Sequence, residues 1–236
     1  MTRFGQSGHV IRAVVFDIGE TLLDDTAEWG AWADWIGVSR HTFSTVLGAV
    51  TATGRDNAEV FQYFRPGFDL AAERQRREQS GHGERITDQD LYPDVRAALT
   101  GLRATGLWIG VAGNQTERAG QLLRALHLPV DAVATSAEWR AAKPSPAFFD
   151  HVVAMAGFAP AEIAYVGDHR DNDVVAGAAA GLATVLIRRG PWGHLWADDP
   201  VTRDHALAVI DSLTELADVL VTAPGGETTS RRRADP

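Results

Sequence analysis

Val14-Val15-Phe16-Asp17-Ile18-Gly19-Glu20-Thr21-Leu22-Leu23 is the stretch on which the reading of this chain turns. From Val10 to Phe16 the residues are rich in β-branching, apolar but for Arg12, with no period-2 polar alternation. That is the signature of a strand buried on both faces, as in a parallel sheet. The run ends at a single aspartate, with a glycine two residues on and a hydroxyl at Thr21. In open α/β sheets ligands bind outside the carboxyl ends of the strands. Asp17 is therefore a candidate nucleophile at the end of the first strand.

Working outward, the pattern changes at Asp24. Trp29, Trp32, Trp35 and Ile36 fall at helical spacing over 26–36. Ser39 is placed to cap a helix carrying Phe43, Val46, Leu47 and Val50. A shorter helical stretch at 56–64 stops at Pro66, and a charged helix runs from Phe68 to Gln79, ended by Gly81. No strand pattern interrupts 24–90, which reads as an all-helical insertion. Beyond it, strands are expected at 107–112, 132–135, 163–166, 183–187 and 206–210, and helices at 93–105, 117–126, 146–156, 173–180 and 212–220. Such alternation predicts an α/β fold, a doubly wound parallel (Rossmann-like) sheet interrupted after its first strand. The expected division is a core of 10–23 and 91–222 and a helical cap of 24–90. The ends at 1–9 and 223–236 are expected to be flexible, and Arg231-Arg232-Arg233 reads as a solvated tail rather than a docking patch.

Composition narrows the function. The 236 residues carry a net charge of -9, which argues against nucleic acid as a partner. It leaves room for a small anion, because a local cation can invert the field of an acidic site. The absence of cysteine excludes disulfides, thiolate zinc sites and cysteine nucleophiles. No apolar run is long enough to span a bilayer, and residues 1–9 are too polar for a signal peptide, so a cytoplasmic protein without a membrane partner is expected. The tryptophans of 26–36 fit a buried helix face first, an apolar substrate pocket second. The same face would serve as a dimer contact, so monomer and homodimer both stand.

The polar residues that follow the strands are Asp17, Asn114, Thr135 with Ser136, Asp168 and Arg188. Gly167-Asp168-His169-Arg170-Asp171-Asn172-Asp173 is a turn with three carboxylates, two of them close enough to share an ion. Hard oxygen donors of this kind suit Mg²⁺. Lys143, in Ala142-Lys143-Pro144-Ser145-Pro146, is restricted by the proline after it, and Pro146 can open a helix. A lysine fixed there would neutralise both a nucleophile and a substrate phosphate. Taken singly, these residues also read as a helix cap, a common Gly-Asp turn and a helix start.

In this order and spacing they resemble the haloacid dehalogenase-like hydrolase superfamily, in its phosphatase branch with a helical cap, over about residues 10–220. The segment from Phe16 to Leu22 is similar to the first motif, Val111-Ala112-Gly113-Asn114 to the second, Lys143-Pro144 to the third, and Gly167-Asp168 through Asp173 to the fourth. The resemblance implies that Asp17 attacks phosphorus to form an aspartyl-phosphate. It implies Mg²⁺ held by Asp17, the carbonyl of Gly19, Asp168 and Asp173, with Lys143 sharing the charge neutralisation. Thr21, Asn114 and Lys143 would contact the substrate, a small phosphorylated metabolite, beneath the cap.

Two positions depart from that pattern. Where the family has a second aspartate, its general acid and base, this chain has Gly19; where it has a hydroxyl, Gly113. With general acid–base assistance worth roughly 10²–10⁴-fold, loss at Gly19 predicts slow hydrolysis and a preference for acyl or aryl phosphates. Glu20, His169, Asp24 and Asp25 are the nearby stand-ins. For Glu20 a loop role, for His169 a surface or supporting role, and for Asp24 and Asp25 helix capping are the simpler readings. Two further functions remain open: a metal-independent dehalogenase, which also lacks the second aspartate, and a non-catalytic binding or regulatory protein on the same fold.

Overall fold

The computed structural model describes residues 10–222; the expectations for 1–9, 223–236 and the three terminal arginines lie outside them. Six strands form one sheet: β1 (Ala13–Phe16), β2 (Trp108–Gly113), β3 (Ala132–Thr135), β4 (Ile163–Gly167), β5 (Ala183–Ile187) and β6 (Ala208–Ile210). Their order is β3-β2-β1-β4-β5-β6, with every pairing parallel. The chain steps outward from β1 to β3, then returns to lay β4 on the other side of β1. The topological switch therefore falls between β1 and β4, where such a sheet opens its ligand crevice.

The lack of polar alternation in β1 has a direct cause, because both faces of the sheet are covered. Val14 and Phe16 belong to an apolar cluster with Leu99, Ile109, Val111, Leu123, Val166 and Leu216. Ala13 and Val15 point the other way, into a cluster with Phe148, Phe149, Val152 and Tyr165. Successive strand residues face opposite sides, so a strand between two layers must be apolar throughout. Val10, Ile11 and Arg12 of the expected strand lie before its first residue, Val10 being 60% exposed.

Twelve α-helices accompany the strands among the described residues: α1 (Thr26–Ile36), α2 (Arg40–Ala52), α3 (Val60–Phe64), α4 (Leu70–Gln79), α5 (Val95–Ala104), α6 (Glu117–Ala125), α7 (Ser136–Trp139), α8 (Pro146–Ala156), α9 (Ala176–Ala179), α10 (Gly190–Trp196), α11 (Pro200–His205) and α12 (Leu216–Thr222). α1 to α4 share a separate apolar cluster built on Trp32, Ile36, Phe43, Leu47, Val60 and Phe61. Ser39 caps α2 as expected, accepting from the Thr42 N–H. Arg77 of α4 is buried, yet its charge is met: Nη1 donates to Glu28 Oε1 at 2.8 Å, and the guanidinium lies 4.0 Å from the centroid of the Trp32 ring. That contact ties α4 to α1, and a buried charge left unmet would be costly.

Three short helices have no counterpart in the sequence reading: α7, α10 and α11. The expected helix at 173–180 is also replaced, by a wide π-type turn over Arg170–Val175 that leads into the single turn of α9. The reason lies in the site that this turn builds.

Candidate active site

In register, Phe16 of β1 faces Val166 of β4, and the Asp17 N–H donates to the Val166 carbonyl at 2.8 Å. Adjacent parallel strands lie about 4.8 Å apart, so Asp17 and Asp168, each just beyond its strand, emerge side by side. The turn after β4 then folds back. His169 Nδ1 accepts from the N–H groups of Asp171 and Asn172, both at 3.2 Å, while the His169 backbone N–H donates to Asp173 Oδ2 at 2.8 Å. At Gly167 any Cβ would collide with the Asp173 carboxylate, so only glycine lets the turn close. The outcome is three buried aspartates, Asp17, Asp168 and Asp173, whose nearest oxygens all lie within 4.8 Å of one another.

Lys143 enters from the loop between α7 and α8. Asn114, just past β2, grips that loop by its backbone: Oδ1 accepts the Lys143 N–H at 2.8 Å and Nδ2 donates to the Lys143 carbonyl at 3.0 Å. Pro146 opens α8 at its first turn, as expected. So held, Lys143 Nζ stands 2.6 Å from both Asp17 Oδ1 and Asp173 Oδ1, and 5.5 Å from the centroid of the Tyr165 ring. Tyr165 in turn donates its hydroxyl proton to the Ala112 carbonyl at 2.8 Å.

The electrostatics follow from crowding like charges in a dry place. Burial raises the Asp17 carboxyl, Lys143 opposes that and Asp173 adds to it, leaving it at about 6. Asp168 is pushed well above the usual carboxylate range, by burial first and then by Asp173 and Asp17. Burial pulls the Lys143 ammonium down, but the two aspartates outweigh it and hold it well above its ordinary value. Three carboxylates thus face one ammonium. Asp168 Oδ2 is buried with no hydrogen-bond partner, which is costly for so polar an atom. A small divalent cation satisfies both conditions: it balances the charge and gives the orphan oxygen a partner. The residues therefore fit Mg²⁺, whose usual donors are carboxylate oxygens and water.

The other sequence candidates separate clearly. At Thr21 the turn after β1 wraps onto itself through Leu22 and Leu23 N–H donation to the Ile18 carbonyl. Thr21 is thereby fully buried, outside the cavity wall, with only its carbonyl engaged, accepting from Arg189 Nη1 at 2.6 Å. Glu20 accepts the Tyr92 hydroxyl at 2.5 Å, a bracing role in the loop. His169 is a supporting residue, its ring against Trp192 and Trp196 at 4.5 and 5.0 Å. Burial, then Lys143, lower its imidazole to about 4. Asp24 caps α1, its Oδ1 accepting the Thr26 N–H at 2.9 Å, whereas the side chain of Asp25, at the N-cap position itself, makes no capping bond. The side-chain capping expected of this pair is made by Asp24 alone. The doubled acid before α1 was the available signal, since one carboxylate suffices to cap a helix.

Above these groups lies a cavity of about 880 Å³ between the strand ends and the helices α1, α2 and α4. Its walls include Asp17, Gly19, Lys143 and Asp168 from below and Trp29, Leu47 and Arg74 from above. The tryptophans of α1 divide accordingly. Trp32 is core, packed edge-on to Phe61 at 5.0 Å, and Trp29 reaches the cavity. Trp35 donates from Nε1 to Glu73 Oε2 at 2.9 Å.

The chain is similar to known proteins in sequence and in fold. A glyceraldehyde 3-phosphate phosphatase of Methanopyrus kandleri is 34% identical over 134 residues, 53% of this chain and 58% of that protein. The chain thus spans little more than half of that relative's length. A phosphoglycolate phosphatase of Pseudomonas putida is 27% identical over 237 residues, 89% of this chain and 79% of that one. The HAD-hydrolase YfnB of Bacillus subtilis, solved bound to magnesium, superposes with a TM-score of 0.66 at 19% identity, covering 89% of this chain and 99% of that chain, a likeness of fold. The family model of the haloacid dehalogenase-like hydrolases matches residues 11–181, from the strand that carries Asp17 to just past the turn that carries Asp173. With nearly three quarters of its length so matched, this chain belongs to the haloacid dehalogenase-like hydrolases.

Proposed function

We propose that this chain is a Mg²⁺-dependent phosphatase of a small phosphorylated metabolite, acting through Asp17. The observation that carries the reading is the meeting of Asp17, Asp168, Asp173 and Lys143 at the switch point, with Asp168 Oδ2 left without a partner. Phosphatases among the relatives add support.

In this mechanism Asp17, ionised at neutral pH, forms a bond to phosphorus as the ester oxygen departs, and water then cleaves the aspartyl-phosphate. Asp17, Asp168, Asp173 and the carbonyl of Gly19 would hold the cation. Bound there, it would offset the repulsion between an anionic nucleophile and an anionic phosphate. Lys143 holds Asp17 in place through its 2.6 Å contact and adds a positive charge beside the transferring group. Asn114 positions Lys143 and lines the cavity, where it would meet the phosphate. The helices α1 to α4 act as the cap, excluding water and choosing the substrate. With no side chain at Gly19, β1 brings no proton carrier of its own.

The test is hydrolysis of 4-nitrophenyl phosphate, 2-phosphoglycolate and glyceraldehyde 3-phosphate with and without Mg²⁺. Turnover that requires the ion and disappears in Asp17→Asn is expected. Halide release from a haloacid without metal would favour a dehalogenase, and an inert protein that still binds phosphate would favour a non-catalytic role.

A further inference from the structure

We propose that Asp25 is the proton carrier of this site, standing in the space that Gly19 leaves open. The assignment rests on the phosphatase reading above. Expelling an alkoxide from a phosphate monoester calls for a proton on the leaving oxygen, and the water that later attacks must give one up. Asp17 bonds to phosphorus, Asp168 and Asp173 would hold the cation, and Lys143 is held between Asp17 and Asp173. Another group on the cavity wall must move the proton.

Among the remaining carboxylates of that wall, one has no hydrogen bond among the described residues. Glu20 is held by Tyr92, Asp24 by the Thr26 N–H, Asp56 by the Ala58 N–H and Asp171 by Arg170. His169 uses Nδ1 to accept two backbone N–H groups and packs its ring on Trp192 and Trp196. Asp25 also lines the cavity, yet its carboxylate has no hydrogen bond among the described residues, not even the capping bond its position offers.

Its placement is the stronger argument. A Cβ built on Gly19 would lie 2.7 Å from Asp25 Oδ2. Within an aspartate the Cβ and a carboxylate oxygen are about 2.4 Å apart by ordinary covalent geometry. Asp25 Oδ2 therefore stands about as far from position 19 as the carboxylate oxygen of an aspartate rooted there would. The relation is reciprocal: any side chain at 19 would displace Asp25. Glycine there makes room for a carboxylate delivered from the start of α1.

The two steps balance. As Asp17 Oδ bonds to phosphorus and the ester P–O bond breaks, the Asp25 carboxyl proton passes to the departing oxygen, which leaves as an alcohol. Water then attacks phosphorus and gives its proton to the Asp25 carboxylate. The phosphorus–Asp17 bond breaks with its electron pair returning to Asp17, phosphate departs, and Asp25 again holds a proton.

The test uses the whole chain with Mg²⁺ and a series of aryl phosphates from 4-nitrophenyl to phenyl phosphate. For wild type, kcat/KM should change little as the leaving group worsens. For Asp25→Asn it should fall on the order of 10²–10⁴-fold on phenyl phosphate and far less on 4-nitrophenyl phosphate. The same variant should release a burst of nitrophenol followed by slow turnover, as water now attacks without a base. A merely structural role would move neither the slope nor the burst. Gly19→Asp in an Asp25→Gly background should recover turnover of phenyl phosphate. Loss in Asp25→Asn that is equal for every leaving group, or no loss at all, overturns the assignment and leaves the phosphatase reading standing. A wild type without Asp17-dependent hydrolysis overturns both.

Discussion

Replacing Lys143 with methionine removes the one positive charge among three buried carboxylates while keeping an unbranched side chain of similar reach. At an effective dielectric of about 20, each 2.6 Å contact from Nζ is an attraction of about 6 kcal/mol before desolvation is charged against it. The carboxylates, at most 4.8 Å apart, repel one another by about 3 kcal/mol or more per pair on the same scale. Breaking a buried pair by removing one partner costs roughly 3–5 kcal/mol, and Lys143→Met should lose that much at pH 8 in EDTA. A proton can substitute for the lysine, however. Protonating a carboxyl of ordinary pKa near 3.9 costs about 1.5 kcal/mol at pH 5 and over 5 kcal/mol at pH 8. In the variant the folded-state carboxyl pKa lies above its unfolded value. The folded form then binds the extra proton, and stability falls as pH rises towards that folded value. The deficit should therefore shrink to about 1.5 kcal/mol at pH 5. Urea unfolding of both proteins at the two pH values, with slopes compared to verify a common denatured state, measures it. A deficit below about 1 kcal/mol at pH 8, or one that does not depend on pH, would refute the coupling of these four side chains.

Mg²⁺ at a hundred times its Kd should raise the unfolding free energy by about 2.7 kcal/mol. Asp168→Asn, which puts an amide where the unpartnered oxygen stands, should lose most of that gain in calorimetric titration; an equal gain would place the ion elsewhere. At His169 the fold favours the neutral ring, held at about 4 against an ordinary 6.5. Its contribution is thus complete above pH 6.5 and is lost as pH falls from there through 4, up to about 3 kcal/mol. His169→Asn keeps an acceptor for the two N–H groups and cannot titrate. Between pH 7 and 4.5 its urea midpoint should fall less than that of wild type, and parallel curves would contradict the low imidazole pKa.

The strands were legible because a sheet covered on both faces demands uninterrupted apolar runs, and Ala13–Phe16 and Ile163–Gly167 are such runs. The helices α1, α2, α5 and α8 were legible from spacing and caps. Segment 188–205 was not. α10 and α11 are only seven and six residues long, too short to show a period. Their order comes from distant partners, such as Arg170 reaching Asp199 at 3.2 Å and lying 4.5 Å from the centroid of the Trp196 ring. The turn at 170–175 was hidden for a similar reason: its shape is set by Asp173 docking on Lys143, thirty residues earlier. At the site, Asp17, Lys143, Asp168 and Asp173 could be named from their places after the strands and the family resemblance. Thr21 could not be placed, because which side chain of a tight turn faces inward depends on the Leu22 and Leu23 bonds to Ile18. Nor could Asp25, whose position relative to Gly19 exists only once α1 has docked.

The sheet order has a consequence for how the protein comes into being. β1 is neighboured on one side by β4, a strand that follows it by roughly 150 residues. The carboxylates contributed by Asp17 and by Asp168 thus meet only after a very long loop has closed, a pairing of high contact order and hence a late one in folding. A nascent chain that has emerged as far as α8 already owns Asp17, the helices α1 to α4 and Lys143, yet lacks the strand that seats Asp17 and two of the three carboxylates. Cation binding would therefore report on completion of the sheet, and a folding experiment followed by metal uptake would see its signal arrive last.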